Sequence, residues 1–109
     1  MGSPLQITFK DIATSAVMEE KIREHAQKVR KYHPDPLELH VVVAQPHHHS
    51  HKAAVFVITI SAHVKGRTLM VNSAGDKDHS HEDPYVALHD AFRTLQRELT
   101  DHTQIRNGT

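Results

Sequence analysis

Leu5, Ile7 and Phe9 alternate with Gln6, Thr8 and Lys10, a period of two that predicts a strand with one buried face. After Asp11 the period lengthens. Met18, Ile22, Ala26 and Val29 recur at helical spacing, with Thr14 or Ser15 available as N-cap and Glu19 and Glu20 early in the helix, where its dipole favours acids. Pro34 and Pro36 in "HPDP" cannot continue that helix. Leu37, Leu39, Val41 and Val43 then alternate with Glu38, His40 and Val42 as a second strand. In "KAAVFVITISAHV", Phe56, Ile58, Ile60, Ala62 and Val64 share one face and Val57, Thr59, Ser61 and His63 the other. The "KG" that follows makes a short turn into "RTLMVNSA", so the third and fourth strands form a hairpin. Tyr85, Leu88, Phe92, Leu95 and Leu99 mark a final amphipathic helix, with Asp83 as candidate N-cap and Pro84 at the first helical position.

The order is therefore strand, helix, three strands, helix. A strand-helix-strand start crosses over right-handed and makes its two strands parallel, after which hairpins extend the sheet antiparallel. Two apolar helix stripes and one apolar sheet face bury one another when both helices lie on the same side. The predicted class is α+β: a two-layer β-α-β-β-β-α sandwich, a four-stranded sheet with two helices on one face.

Composition narrows what such a fold does. With 109 residues and 12.3 kDa, residues 1–109 are expected to be one domain with a single core, with 1–4 and 103–109 as flexible ends. Lys plus Arg number 13 and Asp plus Glu 13, so no global basic excess announces a nucleic-acid partner, and any cationic surface must be local. The 12 His make the charge pH-dependent. The absence of Cys removes disulfides, thiolate zinc sites and Cys nucleophiles. Apolar runs such as "AAVFVI" fall far short of the roughly 20 residues of a membrane span. No signal peptide is visible at the start, so the expected setting is cytoplasmic, with no membrane partner.

The element order, together with "HEDPYVALHDAFRTLQREL", resembles the ribosome hibernation-promoting factor family, also called ribosome-associated inhibitor or sigma-54 modulation proteins. The residues that carry the resemblance are Asp83, Tyr85, Ala87, Leu88, Leu95, Arg97 and Leu99, joined by "LQITFKDI" and "VKGRTLMVN". It extends from Leu5 to about His102 and is to a short, His-rich form, with neither a dimerising nor a cold-shock-like extension expected after Thr109. The resemblance implies a double-stranded-RNA-binding-like fold that docks, without catalysis or a required cofactor, on the small ribosomal subunit; a monomer is favoured, with the oligomeric state left open by the sequence. There it would occupy the channel of messenger and transfer RNA and block translation. That task needs Lys and Arg facing ribosomal RNA phosphates, read by shape and charge rather than by base sequence.

Two basic rows are candidates for this RNA contact. Helix one carries Lys21, Arg23, Lys28, Arg30 and Lys31, in which Lys21 and Lys28, like Arg23 and Arg30, are seven apart and return to nearly the same side. Helix two carries His89, Arg93 and Arg97 at steps of four. Without the resemblance the same residues read as a solvated face laced by Glu20 and Glu24. Helix two also sets Asp90, Glu98 and Asp101 against its arginines, and its end, "TDHTQIRNGT", lacks the basic run that family members often carry. His25 and His33 are placed to join the basic face of helix one, Tyr85 to pack in the core, and His40, His63, His89 and His102 to stand alone at the surface or at caps.

"HHHSHK" and "DKDHSHED" raise a different chemistry. With Val64 opposite Arg67, counting outward sets His51 opposite Ser80 and His49 opposite Glu82, which brings the two runs to one end of the sheet. His47, His49, His51, His79 and His81, with Asp76 and Asp78 nearby, are a donor set suited to Zn²⁺ or another divalent transition metal, and a metal-binding or metal-sensing module is the alternative function. The competing reading is a pair of solvated loops that become cationic as pH falls. Enzymatic readings find little support: no Gly-rich phosphate loop and no nucleophile elbow occurs, and a hydrolase built on His49, His51, His79 and Glu82 has no evident pocket behind it.

Overall fold

The structure, a computed structural model, describes residues 5–33, 37–45, 56–64, 66–72 and 83–106. The elements follow the predicted order: β1 (Leu5–Lys10), α1 (Ala16–Tyr32), β2 (Glu38–Ala44), β3 (Val57–Val64), β4 (Arg67–Asn72) and α2 (Pro84–Arg106). They form a four-stranded sheet in the order β1-β2-β3-β4, with β1 parallel to β2 and the other pairs antiparallel.

Local chemistry sets the boundaries. Ser15 caps α1 in an extended conformation, and its hydroxyl accepts from the Met18 N–H (3.2 Å), which satisfies one of the free donors of the first turn. At the other end His33 leaves the helix with extended backbone, its N–H donating to the Arg30 carbonyl (3.3 Å). The side chain of His33 is buried, so it does not join the basic face of α1. Asp83 caps α2: a carboxylate oxygen accepts from the Tyr85 N–H (2.9 Å) and its carbonyl from the Ala87 N–H (3.1 Å), with Pro84 at the first helical position. The β3–β4 turn closes with Val64 opposite Arg67, the predicted register, and Gly66 supplies a positive φ of 81° that an L side chain rarely adopts. β3 begins at Val57, directly after Phe56, and the part of the predicted third strand that precedes Phe56 lies outside the described residues.

Alternation decides which sheet face is covered. Leu39, Val41 and Val43 of β2, Ile58, Ile60, Ala62 and Val64 of β3, and Leu69 and Val71 of β4 are buried in one core with Met18, Ile22, Ala26 and Val29 of α1. From α2 the same core takes Ala87, Leu88, Ala91, Phe92, Leu95 and Leu99, while Leu5, Ile7 and Phe9 of the edge strand β1 pack against its margin. Fully burying each of the larger aliphatic side chains contributes about 1.5–3 kcal/mol, so this layer interface is the main source of stability. α1 lies against β1, and α2 against β3 and β4. Each helix follows a strand of the same direction, so the two run back side by side.

Tyr85 is 41% exposed and is not a core residue, contrary to the reading of the leucine stripe. Ala87 and Ala91, both buried, turn the packed stripe of α2 toward their own flank and leave Tyr85 at its outer edge. The uncovered face of the sheet is polar and tied laterally by short contacts, Thr8 Oγ1 with His40 Nε2 (2.9 Å) and His63 Nδ1 with Thr68 Oγ1 (3.0 Å). Among the described residues no helix is long and apolar enough to cross a membrane.

Candidate nucleic-acid interface

The helical period places Lys21, His25 and Lys28 on one flank of α1, and the packing turns that flank toward α2. Between the helices runs a groove of about 190 Å³ lined by His25, Lys28, Val29, His89, Phe92, Arg93 and Gln96. Its floor is apolar, formed by Val29 and Phe92, and its walls carry two cations, two imidazoles and an amide. The His25 ring lies nearly parallel to Phe92, with centroids 5.1 Å apart and planes 12° apart, and meets the edge of His89 at 5.9 Å and 61°.

This setting controls the charge of His25. Burial against Phe92 removes water from the ring and pushes its pKa below the ordinary imidazole value; His89, Lys28 and Lys21 push the same way, and Glu24 alone opposes them. The neutral form of the ring is therefore favoured, and the permanent positive charge of the groove is that of Lys28 and Arg93. Lys21 makes an exposed pair with Glu24 (3.8 Å), a contact of little energetic weight that leaves its ammonium in reach of a stronger anion.

The predicted basic residues do not form one surface. Lys28, His89 and Arg93 meet in the groove, and Lys21 stands on the same flank of α1. Arg97, four residues beyond Arg93, is exposed on the crest of α2, where the helical period also sets Asp90 and Asp101. Arg23 and Arg30 lie about 200° around α1 from Lys21 and Lys28. Arg30 there donates from Nη2 to the Leu37 carbonyl (3.4 Å), tying the helix end to the start of β2. Lys31 is exposed on the outer side of α1. The groove also recruits residues that sequence patterning did not assign to a site: Phe92 as a stacking surface, and Gln96 one turn after it. His25, expected to join the basic face of α1, stands in this groove beside Lys28.

The metal candidates His47, His49, His51, His79 and His81 lie outside the described residues, as do their proposed neighbours Asp76, Asp78 and Glu82. Among the described residues no group of three or more His, Asp or Glu is placed to hold a metal ion.

Two solved structures share this architecture. The N-terminal domain of Thermus thermophilus Protein Y superposes with a TM-score of 0.68 at 12% identity, covering 89% of this chain and 94% of that one. A ribosomal subunit interface protein from Coxiella burnetii gives 0.65 at 13% identity, covering 92% and 97%. At such identities the likeness is one of fold. No curated protein sequence matches the chain. The family model described as sigma 54 modulation protein / S30EA ribosomal protein matches residues 5–107, from the first residue of β1 to just past the end of α2. This chain belongs to the sigma-54 modulation protein / S30EA ribosomal protein family.

Proposed function

We propose that this protein is a ribosome-associated translation inhibitor of the hibernation type, binding the small ribosomal subunit through the cationic helix layer and occupying the messenger and transfer RNA channel. The observation that carries the reading is the family match across residues 5–107. The groove between α1 and α2 adds a physical means, because Lys28 and Arg93 concentrate positive charge on a chain whose formal net charge is zero. Members of this family act as ribosome-binding proteins without enzymatic activity. The action assigned here is accordingly steric: a monomer in the cytoplasm holds a site that the translating ribosome needs empty, with no cofactor required.

The contact set assigned here is Lys21, Lys28, His89, Arg93 and Arg97, a reading supported by the meeting of Lys28, His89 and Arg93 in the groove. Arg23, Arg30 and Lys31 face elsewhere, and their part is secondary or structural. Co-sedimentation with purified small subunits tests this. The wild-type chain is expected to pellet at low salt, to be released as salt rises, and to lose pelleting in the Lys28→Glu/Arg93→Glu variant. Absence of pelleting at low salt, or indifference to those two reversals, would overturn the reading.

A further inference from the structure

We propose that the groove between α1 and α2 is a proton-coupled phosphate site, in which a phosphate group sits between Lys28 and Arg93 while the His25 imidazole, stacked on Phe92, takes up one proton as the anion binds. The proposal deepens the ribosome reading and rests on it only where the phosphate is a phosphodiester of ribosomal RNA. A free phosphate or phosphate monoester presents the same chemistry.

Three observations carry it. The groove is open and of molecular size, and its charged lining is cationic, with Lys28 from one helix and Arg93 from the other. Gln96 adds an amide donor one turn along from Arg93. Third, the His25 ring is held face to face with Phe92, so a proton placed on it gains a cation–π contact with a ring that is itself buried.

What keeps the proton off in the empty groove is equally specific. The charged and titratable groups around His25 are Lys21, Glu24 and Lys28 on its own helix and His89 and Arg93 on α2. Burial of the ring does most to keep the proton off, His89, Lys28 and Lys21 add to it, and Glu24 opposes them. An anion bound between Lys28 and Arg93 reverses the balance: it screens the two cations and faces the imidazole with opposite charge. The proton comes from solvent, the ring becomes an imidazolium, and no bond other than that N–H is made. By linkage the site then binds phosphate more tightly as pH falls, and a rise of one unit in the His25 pKa corresponds to about tenfold tighter binding by the protonated form.

The experiment follows the His25 ring itself. The full chain, with ¹³C-labelled histidine, is titrated between pH 8 and 5 by NMR in chloride, in inorganic phosphate and in a single-stranded oligouridine RNA, all at equal ionic strength. The His25 signal is assigned from its loss in His25→Gln. Phosphate or RNA is expected to raise the His25 midpoint by about 0.5–1 unit over chloride, and the Lys28→Gln/Arg93→Gln variant, which keeps His25 and Phe92, is expected to lose that rise. A rise with both ligands supports a general phosphate site, with RNA alone a backbone phosphodiester, and with inorganic phosphate alone a free anion. An identical midpoint in all three solutions overturns the proposal, as does a rise that persists in the double variant. Small-subunit pelleting at neutral pH keeps the two readings apart. Pelleting without a His25 response removes the phosphate site and leaves the ribosome function standing. A response to inorganic phosphate without pelleting does the reverse.

Discussion

Neutralising Lys28 and Arg93 together, as Lys28→Gln/Arg93→Gln, removes the groove's two permanent cations and keeps residues of good helix propensity at both positions. The cost is expected in the salt dependence of ribosome binding rather than in stability. The proposed phosphate contacts are Lys21 and Lys28 on the groove flank of α1 and Arg93 and Arg97 on α2, of which Lys28 and Arg93 line the groove. Each neutralised phosphate contributes about 0.7 to the slope of log affinity against log salt for single-stranded nucleic acid and about 0.9 for a duplex. Wild-type binding should therefore fall with a slope of about −2.8 to −3.6, a loss of roughly 50- to 150-fold between 50 and 200 mM salt. The double variant should show about half that slope, losing only about 7- to 12-fold over the same interval while binding more weakly at low salt. Fluorescence anisotropy of labelled protein with purified small subunits, read at four salt concentrations, measures both slopes. Arg23→Gln/Lys31→Gln is the matched control, since it removes the same charge from the sides of α1 that face away from α2. A wild-type slope retained in the groove variant, or halved equally in the control, would refute the assignment.

Leu88→Ala empties a position with no exposed surface and is expected to cost about 2–5 kcal/mol in urea unfolding; a loss below 1 kcal/mol would mean that α2 is not seated on the sheet as described. Ser15→Ala removes the α1 cap and should cost about 1 kcal/mol, with Ser15→Asp restoring it. Tyr85→Ser should change stability by no more than about 0.5 kcal/mol, as an exposed position does, whereas a core tyrosine would cost several times that. His25→Phe tests the depressed pKa through pH. The unfolded imidazole gains its proton near pH 6.5 and the folded one only at lower pH, so in that window the unfolded state holds more protons and wild-type stability falls as pH falls. The variant lacks this term, and its advantage over wild type should grow between pH 7.5 and 5.5; parallel stability curves would count against a depressed His25.

Periodicity determined the elements, the buried side of each, and the β3–β4 register, because a period of two or of 3.6 states directly which side chains share a face. Met18, Ile22, Ala26 and Val29 are buried as their spacing requires, and Val64 pairs with Arg67 because a two-residue turn with Gly66 leaves no other partner. Residue types alone likewise exposed the family, through an ordered set of positions spread along nearly the whole chain.

Only the tertiary structure decided which basic residues meet. A helical pattern gives angles about the helix's own axis and says nothing of which polar flank a neighbouring helix will approach. Lys21 with Lys28 and Arg23 with Arg30 look equivalent along the chain, yet α2 lies beside the first pair, and Arg30 is spent on the Leu37 carbonyl. The same limit hid Tyr85, whose place was settled by the burial of Ala87 and Ala91 rather than by its own apolar ring. It also hid His25, whose charge depends on Phe92 and His89, more than sixty residues away in the chain and about 5–6 Å away in space.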